Sequence, residues 1–180
     1  MSKIAKVKPY TIENGDGIRV SIFFSGCEHY CKNCFNSELW DFDVGETFNR
    51  EYYENKIRPL IKDYINGLAI LGGEPFHPKN IAATYTLLVW FKHDFPNKSV
   101  WVWSGYTYEE LLSQEYEQVL KLWDVSDVNV GTLYKIDVLV DGKFIEEKKQ
   151  LQLAYRGSTN QRIIDVQKSL RKNEVILYEH

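Results

Sequence analysis

Apolar residues along the chain fall into short β-rich runs separated by longer helical stretches. The run at 18–24, "IRVSIFF", is rich in β-branched and aromatic residues and follows the turn signal "NGDG", so it predicts a buried strand. Similar short apolar runs predict further strands at 68–71, 99–103, 134–142, 151–155 and 174–178.

Several of the segments between these runs have apolar residues spaced at the period of an α-helix. The segment 47–65 is amphipathic, and Pro59 is expected to divide it into two helices. The segment 78–95 predicts a clear helix with Pro78 at its start. A further helix is predicted by apolar residues that recur at the helical period, namely Leu111, Leu112, Tyr116, Val119 and Leu120.

Strands that alternate with helices predict a parallel sheet with right-handed crossovers. A complete eight-stranded barrel needs about 250 residues, whereas this chain has 180. The expected fold class is therefore α/β, as an incomplete (partial) β/α barrel with a mainly parallel sheet or as an open α/β sheet. The length and the lack of internal repeats predict that residues 1–180 form a single domain.

Four short polar motifs follow directly after predicted strands. They are "SGCEHYCKNC", "GGEPF", "SGY" and "DGKF". Because the carboxyl ends of parallel strands share one edge of a sheet, where ligands bind in this architecture, the four motifs are expected to converge on one site.

Composition and charge exclude some classes of function. The formal net charge is −3 and the isoelectric point is about 5.8, so a nucleic-acid partner, which normally selects a basic surface, is not expected. The sequence contains no signal-peptide pattern and no apolar run long enough for a membrane span, which predicts a cytoplasmic protein without a membrane partner. Disulfides are uncommon in that compartment, so clustered thiols indicate metal or redox chemistry.

All cysteines of the chain lie in one short stretch. Cys27, Cys31 and Cys34 have the spacing C-x3-C-x2-C on a predicted loop. A [4Fe–4S] cluster normally takes one cysteine per iron, so three cysteines would leave one iron open to a small-molecule ligand. A zinc site with His29 as fourth ligand is the main alternative, although its C-x-H-x-C spacing is tighter than usual for zinc. The other histidines, His77, His93 and His180, lack ligand spacing and are expected to be surface or capping residues.

The order of these motifs resembles a known family. The cysteine loop followed by "GGEP" resembles the radical S-adenosylmethionine (radical SAM) superfamily. Within it, residues from about 12 to 166 are similar to the activating proteins of anaerobic ribonucleoside-triphosphate reductase. The segments that carry this resemblance are "NGDGIRVSIFFSGCEHYCKNCFN", "LGGEPFHPKN", "VWVWSGYTYEEL", "IDVLVDGKF" and "RGSTNQRIID".

The resemblance implies a chemistry. It implies a fold of the radical SAM type, one [4Fe–4S] cluster held by the three cysteines, and S-adenosylmethionine chelated to the fourth iron. It further implies that a 5′-deoxyadenosyl radical generates a glycyl radical on the large subunit of the reductase. A low-potential electron donor, flavodoxin or a similar protein, is implied as a second partner. His29 then becomes a bystander whose replacement is expected to leave the iron content largely intact.

Further site residues are expected from the same resemblance and from their chemistry. Gly72, Gly73 and Glu74 would receive the methionine amino group, with the glycines allowing close backbone approach. Ser104 and Tyr106 follow a strand end and are candidates for the pocket, whereas the alternating Trp101 and Trp103 are expected in the core. Asn33 and Phe35 flank the last cysteine, a place where an aromatic residue that faces the adenine is often found in this superfamily. The remaining candidates are the polar residues Asn160, Arg156 and Arg162.

Two alternative functions remain open at this point. One is activation of a different glycyl-radical enzyme of the pyruvate formate-lyase type, although the chain has no cysteines outside the loop for the extra clusters that some of those activases carry. The other is a non-catalytic zinc or electron-transfer module, which would normally complete its cluster with a fourth cysteine.

Overall fold

The computed structural model describes residues 1–122, 124 and 128–179. His180 lies outside the described residues. Across the described ranges, no helix combines the length and the apolar character that crossing a membrane requires.

Seven strands of the described chain form one mixed sheet in the order β3-β1-β2-β4-β5-β6-β7. Strands β2, β4, β5 and β6 are parallel to one another, whereas β1 and β3 at one edge and β7 at the other are antiparallel to their neighbours. Since β3 and β7 stand at opposite ends of this order, the sheet is open. The strands are β1 (Lys3–Thr11), β2 (Arg19–Phe24), β3 (Glu46–Thr47), β4 (Gly67–Gly72), β5 (Ser99–Trp103), β6 (Val138–Asp141) and β7 (Arg162–Asp165).

The parallel centre confirms the α/β class and four of the predicted strands. Phe24 lies opposite Gly72, and Trp103 lies opposite Val140. This register brings the carboxyl ends of β2, β4, β5 and β6 to the same edge of the sheet.

The central strands are buried on both faces, which explains why they form continuous apolar runs in the sequence. One face carries Ile22 and Ile70, which belong to the largest core cluster together with Leu88 of the long helix Ile81–Asp94. The other face is covered by loop residues, for example Leu39, which packs in a cluster with Phe23.

Six α-helical segments accompany the sheet in the described residues. The segment α1 continues into a π-helical turn at Tyr53–Ile57 and a 3-10 turn at Arg58–Leu60. Two other 3-10 turns lie at Ser37–Leu39 and Glu146–Lys148. The segments are α1 (Arg50–Tyr52), α2 (Ile81–Asp94), α3 (Tyr108–Leu111), α4 (Gln114–Leu122), α5 (Val128–Leu133) and α6 (Val166–Lys172).

Several predicted boundaries are wrong. The helical part of 47–65 ends at Leu60, and the helix predicted from Pro78 begins at Ile81. The single helix predicted around 111–120 is two helices, because the Ser113 hydroxyl accepts a hydrogen bond from the Tyr116 N–H at 3.1 Å and starts α4 anew.

Two predicted strands near the C-terminus are also wrong. Residues 151–155 form turns, and Leu151 there is 82% exposed. Residues 174–178 contribute only an isolated bridge between Leu177 and Ile164. Strands β1 and β7 and helix α6 were not predicted, since β1 mixes lysines with apolar residues and β7 has only four residues.

Candidate functional site

A cavity of about 130 Å³ lies at the edge where the parallel strands end. The loop after β2 contributes Cys27, Cys31 and Cys34, and the turn after β4 contributes 72–74. Ser104 after β5 and Gly142 after β6 complete the set. The expected meeting of four strand-end motifs at one place is therefore confirmed, because residues of all four line this cavity.

The cysteine loop is anchored by backbone hydrogen bonds at its start. The Gly26 N–H donates to the Leu39 carbonyl at 2.8 Å, and the Cys27 N–H donates to the Trp40 carbonyl at 3.1 Å. At its end, the Cys34 N–H donates to the Cys31 carbonyl at 3.1 Å. These bonds fold the loop back on itself, so that all three thiols reach the same cavity.

Burial controls the chemistry of the thiols. It raises the pKa of Cys27 to about 12, with the negative charge of Glu74 as the second cause. Burial also raises the pKa of Cys31, and the neighbouring Cys34 adds to that shift. Cys27 and Cys31 therefore stay protonated until a bound cation compensates the thiolate charge, which is the usual behaviour of cysteine ligands.

The donor set fits an iron–sulfur cluster. All three cysteines are free thiols on the same cavity wall, and soft thiolates are the ligands that such clusters take. Within the described residues, no three His, Cys, Asp or Glu side chains are grouped to hold a single metal ion. A [4Fe–4S] cluster places each thiolate on a different iron, so its ligands stand further apart than those of one ion.

The glycines of the turn after β4 are required by close backbone packing. Gly72 has a φ of +108°, a conformation that favours glycine. A Cβ at Gly73 would lie 2.4 Å from the Gly26 carbonyl oxygen. In this structure the glycines thus allow the turn to approach the backbone of the cysteine loop.

Glu74 is the buried carboxylate of the cavity, only 1% exposed. Its Oε1 accepts hydrogen bonds from the Phe76 N–H and the Ser104 hydroxyl, both at 2.9 Å. Its Oε2 accepts from the Gly105 N–H at 2.7 Å and from His29 Nε2 at 2.9 Å. The carboxylate therefore connects the loops that follow β2, β4 and β5.

His29 lies in the cavity wall, and the expectation that its replacement leaves the iron content largely intact stays a prediction. The His29 side chain is 10% exposed. The ring contacts Tyr106 edge-on at a centroid distance of 4.7 Å and packs so closely on Gly105 that a Cβ there would lie 2.2 Å from a ring carbon. His29 is thus held by three neighbours, including Glu74.

The structure also corrects the expectations for other side chains. Trp101 is buried as expected, but Trp103 lines the cavity, and its Nε1 donates to the Tyr155 carbonyl at 2.8 Å. His77, expected to be a surface or capping residue, is buried, and its Nδ1 accepts from the Lys79 N–H at 3.1 Å. The other predicted surface histidine, residue 93, has an 85% exposed side chain, as expected.

Some predicted site residues lie outside this cavity. Asn33 is exposed. Phe35 lines a neighbouring cavity of about 570 Å³. Its ring packs on that of Phe144, with the ring centroids 5.2 Å apart. Asn160 lines a third cavity, where its Nδ2 donates to the Lys143 carbonyl at 2.9 Å.

The two candidate arginines are engaged by the protein. Arg156 donates to the Gln161 carbonyl at 2.7 Å. Arg162 forms ion pairs with Glu109 and with the buried Asp141. Neither guanidinium lines the cavity that holds the cysteines.

Several lining residues were missed by sequence reasoning, among them Gln161, Trp40 and Phe144. Gln161, which follows Asn160 in the sequence, lines the cavity, and its Nε2 donates to the Gly142 carbonyl at 3.0 Å. Trp40 lines it as well, and its Nε1 is buried without a hydrogen-bond partner in the described structure. Phe144 ends the "DGKF" motif and borders both this and the larger cavity. Phe144 belongs to "DGKF" and Gln161 to "RGSTNQRIID", so both had a signal in the sequence, whereas Trp40 lies outside the quoted motifs.

An open α/β sheet with all cysteines on one strand-end loop defines a candidate single-cluster iron–sulfur protein. The family model described as "4Fe-4S single cluster domain" matches residues 13–164, so the chain belongs to that family. The chain also belongs to the family of anaerobic ribonucleoside-triphosphate reductase-activating proteins, as three relatives that carry this name show.

The relatives match over most of their length. The protein of Pasteurella multocida is 39% identical over 156 residues, which cover 85% of this chain and 90% of that protein. The protein of Escherichia coli K12 is 36% identical over 155 residues, with 85% and 92% covered. The protein of Enterobacteria phage T4 is 33% identical over 158 residues, with 88% and 90% covered.

Proposed function

We propose that this protein activates an anaerobic ribonucleoside-triphosphate reductase by radical chemistry on S-adenosylmethionine. The observation that carries the proposal is that all three cysteines line one cavity with the turn 72–74. The names of the relatives support the reductase as partner, and the open sheet with a parallel centre agrees with a partial barrel of the radical SAM type.

Cys27, Cys31 and Cys34 would hold a [4Fe–4S] cluster and leave one iron for the amino and carboxylate groups of S-adenosylmethionine. When bound, this pair supplies one-electron cleavage of the sulfonium, which releases methionine and a 5′-deoxyadenosyl radical. That radical would take a hydrogen atom from a glycine of the large reductase subunit, leaving 5′-deoxyadenosine and a glycyl radical. The electron would come from a low-potential donor, flavodoxin or a similar protein.

The residues of the chain would bind and orient the ligand. Glu74 would accept from the ammonium group of the methionine part, because it is the buried carboxylate of the cavity. Gly72 and Gly73 keep the turn of Glu74 against the cysteine loop. Ser104, whose hydroxyl donates to Glu74, would lie beside the methionine or ribose part.

The adenosine part would extend towards the larger neighbouring cavity. That cavity shares Cys34, Trp103 and Phe144 with the cavity of the cysteines, so the two are continuous. Phe35 offers an aromatic surface there. Asn33 at the cysteine loop and Asn160 in the third cavity are proposed as outer polar contacts to the adenine or ribose.

The proposal is tested with anaerobically purified and reconstituted protein. We expect about four irons and four sulfides per chain, and 5′-deoxyadenosine from S-adenosylmethionine and dithionite. The alanine variant of any one of Cys27, Cys31 or Cys34 should form no 5′-deoxyadenosine. Bound zinc without cleavage of S-adenosylmethionine would contradict the proposal.

The partner is tested separately by electron paramagnetic resonance. The reduced protein and S-adenosylmethionine are mixed with an anaerobic ribonucleotide reductase or with a pyruvate formate-lyase. A glycyl-radical signal with the reductase alone is expected. A signal with the lyase alone would assign the protein to the other class of activases.

A further inference from the structure

The hydrogen-bonding capacity of the Glu74 carboxylate is filled by the chain itself. An ionised carboxylate has about four lone-pair sites, and Glu74 already accepts from four donors. An ammonium group can therefore take a lone-pair site of Glu74 only if one of these donors leaves.

The four donors differ in how easily they can leave. Phe76 and Gly105 donate through backbone N–H groups, which are fixed by the turns after β4 and β5. The Ser104 hydroxyl is held on both sides, since it also accepts from the Tyr106 N–H at 3.0 Å. His29 alone among the four donates from a long side chain. Rotation around the two single bonds of this side chain can move the ring away from Glu74 without moving the backbone.

The buried position of Glu74 explains why the chain supplies a fourth donor. Its side chain is 2% exposed, so solvent does not reach it readily. A buried carboxylate that lacks a donor is costly. His29 Nε2 stands 2.9 Å from Oε2, which is close to the distance that an ammonium nitrogen takes from a carboxylate oxygen.

We propose that His29 is a placeholder: its Nε2 occupies the subsite for the ammonium nitrogen of the ligand, and a ligand with a primary ammonium group displaces it from Glu74. This inference rests on the proposed function, since S-adenosylmethionine is taken as the ligand. It assigns to His29 the role of a residue that keeps the buried carboxylate satisfied until the ligand arrives. Removing its donor should therefore make binding of the ammonium group more favourable.

The experiment compares two probes on anaerobically reconstituted protein by equilibrium dialysis. One probe is S-adenosylmethionine, and the other is the same molecule without its α-amino group. The His29→Leu variant lacks the donor but keeps an apolar contact with Tyr106, whereas His29→Gln keeps a donor. The matched control is His77→Leu, since His77 is a buried histidine whose Nε2 faces Glu28 at 3.2 Å instead of Glu74. Iron content is measured for every variant.

His29→Leu is expected to keep its iron and to bind S-adenosylmethionine about ten- to a hundredfold more tightly than the wild type, which corresponds to one hydrogen bond to a charged group no longer broken on binding. Its affinity for the analogue without the amino group should not change. His29→Gln and His77→Leu should bind both probes like the wild type.

Four results would overturn the proposal that His29 is a placeholder. Weaker binding of S-adenosylmethionine to His29→Leu would mean that His29 positions Glu74 for the ligand. An equal change for both probes would mean a general effect on the loop, and unchanged affinities would mean that His29 stays in place. If His29→Leu loses its iron, His29→Ala is measured, and loss of iron from both variants also overturns the placeholder. The proposed function fails separately, if the wild type binds neither probe.

Discussion

Glu74→Gln is the substitution that most directly tests the described site. Glutamine has the shape of glutamate, but one of its two terminal atoms is an NH2 group, which donates hydrogen bonds and does not accept them. The four protein donors around the side chain would then share one acceptor oxygen. The change therefore alters the hydrogen bonds of the site while the packing volume stays the same.

The expected decrease in the free energy of unfolding follows from the two possible orientations of the new amide in the Glu74→Gln variant. If the NH2 group takes the place of Oε2, His29 can change tautomer and accept, but the Gly105 N–H loses its acceptor. If it takes the place of Oε1, the Ser104 hydroxyl can rotate, but the Phe76 N–H loses its acceptor. One hydrogen bond to a charged group is worth about 1.5–3 kcal/mol, and the unsatisfied buried donor adds a similar cost, so we expect a loss of about 3–5 kcal/mol.

The assay is urea unfolding of the cluster-free protein under reducing conditions, in which the free energy of unfolding and its urea dependence are both fitted. The control is Glu109→Gln, because the side chain of Glu109 is 57% exposed and pairs with Arg162 on the surface. Its cost should stay below about 1 kcal/mol. A Glu74→Gln protein within about 1 kcal/mol of the wild type, with the same urea dependence, would refute the four-donor description.

Three further predictions concern the turn, the thiols and the pH dependence. Gly73→Ala places a methyl group 2.4 Å from the Gly26 carbonyl oxygen, so iron retention after anaerobic desalting should fall, and full retention would contradict the packing. Cys31→Ala should abolish the broad brown absorbance of the reconstituted protein, and a spectrum like that of the wild type would exclude Cys31 as a ligand. Burial lowers the pKa of His77, so the unfolded chain binds more protons as the pH falls through about 6.5, and stability is lost there. Melting temperatures between about pH 5 and 8 should show that loss in the wild type and a flatter pH profile in His77→Gln. Equal pH profiles of the two proteins would contradict the lowered pKa of His77.

The sequence predicted the centre of the fold better than its edges. Strands β2, β4 and β5 are buried on both faces, so their apolar runs are continuous and easily recognised. Strand β1 is half-exposed, includes Pro9 and pairs with register shifts, so its pattern does not resemble a strand. The run at 151–155 shows the reverse error, since its apolar residues belong to turns, in which Leu151 is 82% exposed.

The site was predictable where neighbours in the sequence carry it. Cys27, Cys31 and Cys34 reveal themselves by spacing, and their meeting with the turn 72–74 follows from the rule for parallel strands. The contact of His29 with Glu74 joins residues 45 positions apart, and its partner cannot be read from a local pattern. Gln161 was missed for the same reason, because its bond to the Gly142 carbonyl depends on how β7 returns beside β6.

The charge of the cavity gives an argument for its ligand that is independent of any motif. Glu74 is buried in its wall, and Cys27, Cys31 and Cys34 add negative charge whenever they bind a metal as thiolates. None of the described residues that line it is a lysine or an arginine. Hydrogen bonds from the chain satisfy Glu74, but additional thiolate charge in this small space calls for a cation, since burial weakens screening by water. Iron ions and a ligand with sulfonium and ammonium groups would supply that positive charge, whereas an anionic ligand such as a free nucleotide phosphate would be repelled by Glu74 and the thiolates.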